Sequence, residues 1–259
     1  MDYAVSSPPS IVRLADLDGD GLLDVIVQQP NTTELIGVFR NTSTAGSISL
    51  ATRIDFATPS PRAFAVKDLD GDGKLDLAVA SGNGSISLWR NTSTQGEITS
   101  GSFASAISIS APSSISEVEA VDVDGDGKPE LITANSSNSI SVFRNTSTTG
   151  SLTSSSFAAQ VDFAAASQSF RLQSGDLDGD GKVDIAVADY VGNVLSVFRN
   201  TSTAGSITAG SFAGRVDFAA GNGPHGIALG DFNGDGKLDV CVPNHTDNTV
   251  SIFRNTSSA

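Results

Sequence analysis

The chain has 259 residues, 39% of them hydrophobic and only 17% charged, with a formal net charge of −14. That balance excludes a basic nucleic-acid surface, and no apolar stretch approaches the roughly 20 residues of a membrane-spanning helix. Ser, Thr, Gly and Asn fill the segments between short apolar runs, which disfavours long helices and favours strands joined by turns.

Met1 opens directly onto Asp2-Tyr3-Ala4 without a basic and apolar leader, so any secretion signal is expected to have been removed or to lie outside this sequence. Asp16 to Asp24 then reads Asp-Leu-Asp-Gly-Asp-Gly-Leu-Leu-Asp. Related acidic runs begin at Asp68, Asp122, Asp176 and Asp231, spaced 52 to 55 residues apart. A fixed period of that order marks stacked structural units. Of the 29 acidic residues, 19 lie in these five runs, so the acidity is localised and five divalent cations would bring −14 to −4.

Each unit carries four short β-rich runs. In the fifth, Gly226 to Leu229 enters the acidic run, Leu238 to Val242 leaves it, and Val250 to Phe253 follows a polar connection. Earlier units add a fourth run, as in Ile54-Asp55-Phe56-Ala57 or Val216-Asp217-Phe218-Ala219. In the third run, Ile86 and Leu88 point one way while Ser87 and Trp89 point the other. Both faces are therefore expected to be covered, as in a sheet packed between two similar sheets. The expected architecture is an all-β, five-bladed β-propeller of four-stranded antiparallel blades, forming one domain over residues 1–259. The blades are placed at about 10–57, 62–110, 116–164, 170–219 and 225–259 plus 1–5. Met1-Asp2-Tyr3-Ala4 matches Val216-Asp217-Phe218-Ala219, so the N-terminal strand is expected to complete the last blade and close the ring.

Calcium takes six to eight oxygen ligands in flexible geometry, and alternating carboxylates with intervening glycines supply them on a tight loop. Positions 1, 3, 5 and 9 offer side-chain oxygens and position 7 a carbonyl. The expected side-chain ligands are Asp16, Asp18, Asp20 and Asp24; Asp68, Asp70, Asp72 and Asp76; and Asp122, Asp124, Asp126 and Glu130. The last two sets are Asp176, Asp178, Asp180 and Asp184, then Asp231, Asn233, Asp235 and Asp239. Leu22, Lys74, Lys128, Lys182 and Lys237 would supply carbonyls, giving about five calcium ions, one per blade. An EF-hand needs an acidic ligand at position 12, where this chain has Val27, Val79, Thr133, Val187 and Val242. Magnesium prefers fewer carboxylates in octahedral geometry. The weakest sets contain Glu130, one methylene longer than aspartate, and Asn233, which brings no charge.

These repeats, best seen in Gly230-Asp231-Phe232-Asn233-Gly234-Asp235-Gly236-Lys237-Leu238-Asp239, resemble the FG-GAP and VCBS repeats of integrin α-subunit heads and bacterial surface proteins. The resemblance covers nearly the whole chain and implies calcium at the positions just named. Integrin-like heads use seven blades, so five units depart from that pattern and weaken any transfer of adhesion.

After each third run an aromatic residue precedes Arg-Asn-Thr-Ser, placing Arg40, Arg90, Arg144, Arg199 and Arg254 on the rim of the acidic loops. They are expected to bond loop carbonyls or carboxylates, with Asn-Thr-Ser forming a turn. Cys241 reads as a small buried hydrophobe. The opposite rim carries the variable connections, with Gln29, Asn31, Asn135, Asp189, His225 and His245 among the residues a partner could meet. No catalytic nucleophile with its base stands out. The expected function is a non-enzymatic, calcium-binding module for binding or adhesion, extracellular or at the cell surface, monomeric, with an unknown protein or glycan ligand. The alternatives are a ligand-free structural ring, natural or engineered, and a multivalent carbohydrate-binding lectin.

Overall fold

The computed structural model describes residues 2–30, 34–112 and 114–258, so Met1 and Asn31 lie outside the described residues. The described residues contain strands and no helix. Five antiparallel sheets follow one another along the chain, each a meander in which consecutive strands pair.

The first sheet comprises β1 (Ile11–Ala15), β2 (Asp24–Gln29), β3 (Leu35–Phe39) and β4 (Ile54–Ala57). The second comprises β5 (Pro61–Lys67), β6 (Asp76–Ser81), β7 (Ser85–Trp89) and β8 (Ile107–Ser110). The third is β9 (Ile115–Val121), β10 (Glu130–Asn135), β11 (Ser139–Phe143) and β12 (Val161–Ala164). The fourth is β13 (Ser169–Gly175), β14 (Asp184–Asp189), β15 (Val194–Phe198) and β16 (Val216–Ala219). The fifth has three strands, β17 (Ala228–Gly230), β18 (Asp239–Asn244) and β19 (Thr249–Phe253). β17 is short because Pro243 has no N–H for the β17–β18 ladder, which stops at Ala228 opposite Cys241.

The fourth strand expected for the last sheet from the N-terminal segment is not among the strand pairings. Asp2 to Val5 form no strand, and β19 pairs only with β18. Tyr3 instead lies edge-on against Phe39, with ring centroids 5.9 Å apart, and its hydroxyl accepts from the Leu50 N–H at 3.0 Å.

The chain divides into two compact units, Met1–Ala111 with Thr146–Ser156, and Pro112–Asn145 with Phe157–Ala259. In the first, the core is the contact between sheets one and two. Ile26, Ile36, Val38 and Phe56 from sheet one pack against Phe64, Leu77 and Val79 from sheet two. In the second unit, Ile132, Ile140, Val142 and Phe163 of sheet three meet Leu172, Ile185 and Val187 of sheet four. Sheet four turns Leu177, Ala186, Ala188 and Leu195 toward Val240 and Val242 of sheet five. Period-two alternation thus gives every inner strand two apolar faces, and burial of each large side chain contributes about 1.5–3 kcal/mol.

Leu77 is 1% exposed in such a face while Ile48 is 74% exposed. Leu77→Ala is expected to cost about 2–5 kcal/mol in denaturant unfolding and Ile48→Ala less than about 0.5 kcal/mol. Equal costs would contradict the sheet-on-sheet core.

Candidate metal centres

In each unit the acidic run is the connection from the first strand to the second. In sheet one it turns through Gly19 and Gly21, whose φ angles of 71° and 88° lie in the left-handed region that favours glycine. The backbone N–H groups then point inward at carboxylates. Asp16 accepts from Asp20 N–H at 3.1 Å and Gly21 N–H at 2.9 Å. Asp18 accepts from Asp20 N–H at 3.2 Å, and Asp20 from Leu22 N–H at 2.8 Å. Asp24, the first residue of β2, is fully buried and accepts from Leu17 N–H at 3.0 Å and Asn41 N–H at 2.8 Å.

This geometry gathers three carboxylates, at positions 1, 3 and 9. Asp16, Asp18 and Asp24 bring ligand oxygens within 4.8 Å of one another, as do Asp68, Asp70 and Asp76. Asp122, Asp124 and Glu130 form a third such trio and Asp176, Asp178 and Asp184 a fourth. The longer Glu130 fits: it stays fully buried and accepts from Val123 N–H at 2.8 Å and Asn145 N–H at 3.2 Å. The position-5 residues Asp20, Asp72, Asp126 and Asp180 lie outside these trios, each accepting from the N–H of position 7, contributed by Leu22, Lys74, Lys128 or Lys182. The fifth run differs. Asp231 accepts four backbone N–H groups and Asp239 is buried, but Asn233 replaces the middle carboxylate with an amide whose N–H group donates to Asp235. The backbone of Lys237 donates to Asp235 at 3.0 Å.

The donor set suits a hard divalent cation. Two carboxylates about 4.8 Å apart repel by on the order of 3 kcal/mol at an effective dielectric near 20. The strain falls on position 9. Burial pushes the Asp76 carboxyl up to about 7, and the nearby charges of Asp70 and Asp72 add to the rise. Glu130 is likewise raised to about 7 by burial, with Asp124 adding, and Asp24 and Asp184 shift the same way. A calcium ion would offset both the desolvation and the repulsion, with Asp16, Asp18 and Asp24 and their counterparts as its side-chain holders.

Arginine partly neutralises each trio, as the motif predicts. Arg40 Nε donates to Asp18 at 2.8 Å, Arg90 Nε to Asp70 at 2.6 Å, and Arg144 Nε to Asp124 at 2.9 Å. These carboxylates raise the affinity of the three guanidinium groups for their protons. Arg199 stands farther from Asp178, at 3.7 Å. Arg254 is exposed and makes no ion pair among the described residues, because position 3 of its loop is the neutral Asn233.

Sequence reasoning missed how Asn-Thr-Ser ties one sheet to the loop before it. Asn91 Nδ2 donates to Leu75 O of its own sheet at 3.0 Å and to Leu17 O of the preceding loop at 2.7 Å, where Ser93 also donates at 3.0 Å. Asn200 and Ser202 hold Val123 O, and Asn255 and Ser257 hold Leu177 O, in the same way. The visible signal was that the triplet recurs with the same period as the acidic runs. A cleft of about 340 Å³ opens onto the first trio, lined by Asp16, Asp18, Lys74, Ser93 and Gln95 among others.

On the opposite rim, Gln29, Asn135 and Asp189 are fully buried rather than available to a partner. Asn135 bonds Ser141 and Asp189 accepts from Ser196, because these residues end second strands that neighbouring strands cover. His225 and His245 do come together, with ring centroids 5.4 Å apart and Tyr190 edge-on at 6.0 Å. Burial, Arg171 and His245 lower the His225 pKa, and Asp247 bonds Asn222.

Antiparallel sheets of three or four strands repeating with an acidic loop in each define a repeat β-propeller. The FG-GAP-like repeat matches residues 16–79, 68–133, 122–187 and 176–242, and the chain belongs to that family. A comparison with curated proteins found no match. Among solved structures it is similar to BBS1N in complex with ARL6DN, at 16% identity and TM-score 0.62 over 98% of this chain and 68% of that one. A functionally unknown protein from Desulfotomaculum acetoxidans is 17% identical, with TM-score 0.57 over 97% of this chain and 71% of that one. An Agrocybe aegerita lectin described as recognising non-reducing terminal N-acetylglucosamine is 18% identical, with TM-score 0.57 over 95% of this chain and 66% of that one.

The pKa directions give a signed expectation. Burial lifts the folded Asp76 and Glu130 carboxyls to about 7 from their ordinary values of 3.8 and 4.5, so the unfolded chain holds fewer protons between those limits. In excess chelator the melting temperature should therefore fall as pH rises from about 5 to 7. Saturating calcium should reverse the trend, since protons compete with the ion. Identical pH profiles with and without calcium would contradict these sites.

Proposed function

We propose that this chain is a non-enzymatic binding module whose FG-GAP blades are held by structural calcium, working outside the cell or on its surface. One observation carries the reading: each trio is wired to its own sheet and to the next one. Asp76 accepts from Leu69 N–H and Asn91 N–H, while Ser147 holds Leu69 O. An ion there would brace strand ends and engage all three carboxylates of the trio. Extracellular calcium modules bind at about 10⁻⁴ to 10⁻³ M, which matches a compartment with millimolar calcium. At the tighter limit each site would add about 1.4 kcal/mol, and four sites about 6 kcal/mol.

A lectin reading is the second one. The cleft of about 340 Å³ beside the first trio offers carboxylates, a lysine and amide groups for hydroxyls. A similar fold in the Agrocybe aegerita lectin is described as recognising a terminal amino sugar.

Excess chelator is expected to lower the melting temperature by roughly 10–20 °C. An unchanged melt would remove calcium from the account. A glycan array in calcium separates the readings: bound sugars released by chelator support the lectin, and silence leaves a protein ligand or a spacer.

A further inference from the structure

His225 and His245 are the chain's two histidines, and the register at the end of sheet five sets them side by side. Ahead of β17, Pro224 bridges Asn244. His225 N–H donates to Pro243 O at 3.0 Å and His245 N–H to Gly223 O at 2.8 Å. His225 therefore stands opposite Pro243, and His245 lies two residues further along that segment on the same face. Diagonal neighbours of this kind are within reach of ring side chains. Gly223, opposite His245, brings no side chain to hold the rings apart, and a Cβ there would meet Thr246 Oγ1 at 2.5 Å.

The two rings lie 5.4 Å apart, centroid to centroid, and both residues are exposed. One zinc ion bonded at about 2.0–2.1 Å to a nitrogen of each ring, at a tetrahedral angle, would hold the centroids about 5.2 Å apart. The observed spacing admits a shared ion without moving the backbone. Tyr190 stands edge-on to His225 at 6.0 Å and limits the swing of that ring. Burial, Arg171 and His245 lower the His225 pKa, which keeps a nitrogen lone pair available at neutral pH. The Arg171 charge is itself turned toward Glu117 at 3.4 Å, and its Nη1 donates to Ser116 O at 2.8 Å. Asp247, whose carboxylate accepts from Asn222 N–H at 2.7 Å, adds a negative charge two residues from His245.

The frame recurs but the pair does not. The N–H groups of Gly82, Ser136 and Tyr190 donate to Ser60, Ser114 and Gln168 as that of His245 donates to Gly223. Two residues beyond those acceptors stand Arg62, Ser116 and Phe170, where the fifth unit has His225. The fifth unit thus fills both places with imidazole. Calcium prefers oxygen, whereas imidazole suits zinc, copper and nickel. Cys241 shares the face but lies four residues from His245, roughly 13 Å along a strand, too far to join the same ion.

We propose that His225 and His245 together bind one transition-metal ion of the zinc, copper or nickel class, independently of calcium in the acidic loops. Two protein nitrogens leave the other coordination positions to water, so the ion is held more loosely than in a closed four-ligand structural site.

The test is calorimetric titration of the whole chain with ZnCl2 in saturating calcium, on a C241S background so that no thiol contributes. One saturable equivalent is expected, weakened ~10-fold or more by H225A or H245A alone while the melting temperature in calcium stays unchanged. No saturation up to about 1 mM zinc, or binding that either single variant leaves unchanged, would overturn the proposal. Cu2+ loaded in the same way should give an electron paramagnetic resonance spectrum with nitrogen coupling from two imidazoles. Coupling to one nitrogen or none would also overturn it.

Discussion

The structure depends on holding three carboxylates within 4.8 Å of one another at the entrance to a buried strand. That arrangement is unfavourable alone, since like charges repel and burial penalises each ionised group. The chain lowers the cost in two ways: backbone N–H groups turn inward at the glycines, and the arginine that follows the third strand bonds the position-3 carboxylate in the first three units. A divalent ion would supply the remaining positive charge. Burial, with nearby carboxylates adding, leaves Asp76 and Glu130 with raised pKa values despite these contacts.

The same loops set the packing of sheets. Position 9 anchors its loop to the end of the third strand through Asn41 or its counterparts, and position 2 buries an apolar side chain. The carbonyl of position 2 then accepts the Asn and Ser of the following sheet. Loop order and sheet order are therefore coupled: distorting a loop removes hydrogen bonds from the next sheet as well as its own. This coupling makes a structural role for the ion the economical reading.

Much of this was legible in the residues because both governing signals are periodic. The acidic runs fixed the unit length, and the alternation of Ile86 and Leu88 with Ser87 and Trp89 fixed a strand with two buried faces. The Arg40–Asp18 pairing followed from strand alternation placing both on one rim. What was not legible depended on contacts between units of the repeat. Nothing in Asn-Thr-Ser alone says that its amide reaches a carbonyl 74 residues away, as Asn91 does to Leu17. Gln29, Asn135 and Asp189 read as surface polar residues, yet cross-strand partners bury them. The N-terminal match to Val216-Asp217-Phe218-Ala219 suggested a fourth strand for the last sheet, but Asp2 to Val5 form no strand and Tyr3 packs against Phe39 instead.

The most direct test is the number of calcium ions retained per chain after equilibrium dialysis at millimolar calcium, measured by elemental analysis. Four carboxylate trios and a weaker fifth loop predict four to five ions, with D76N or D184N each removing one. Retention of none, or an unchanged count in those variants, would contradict the account.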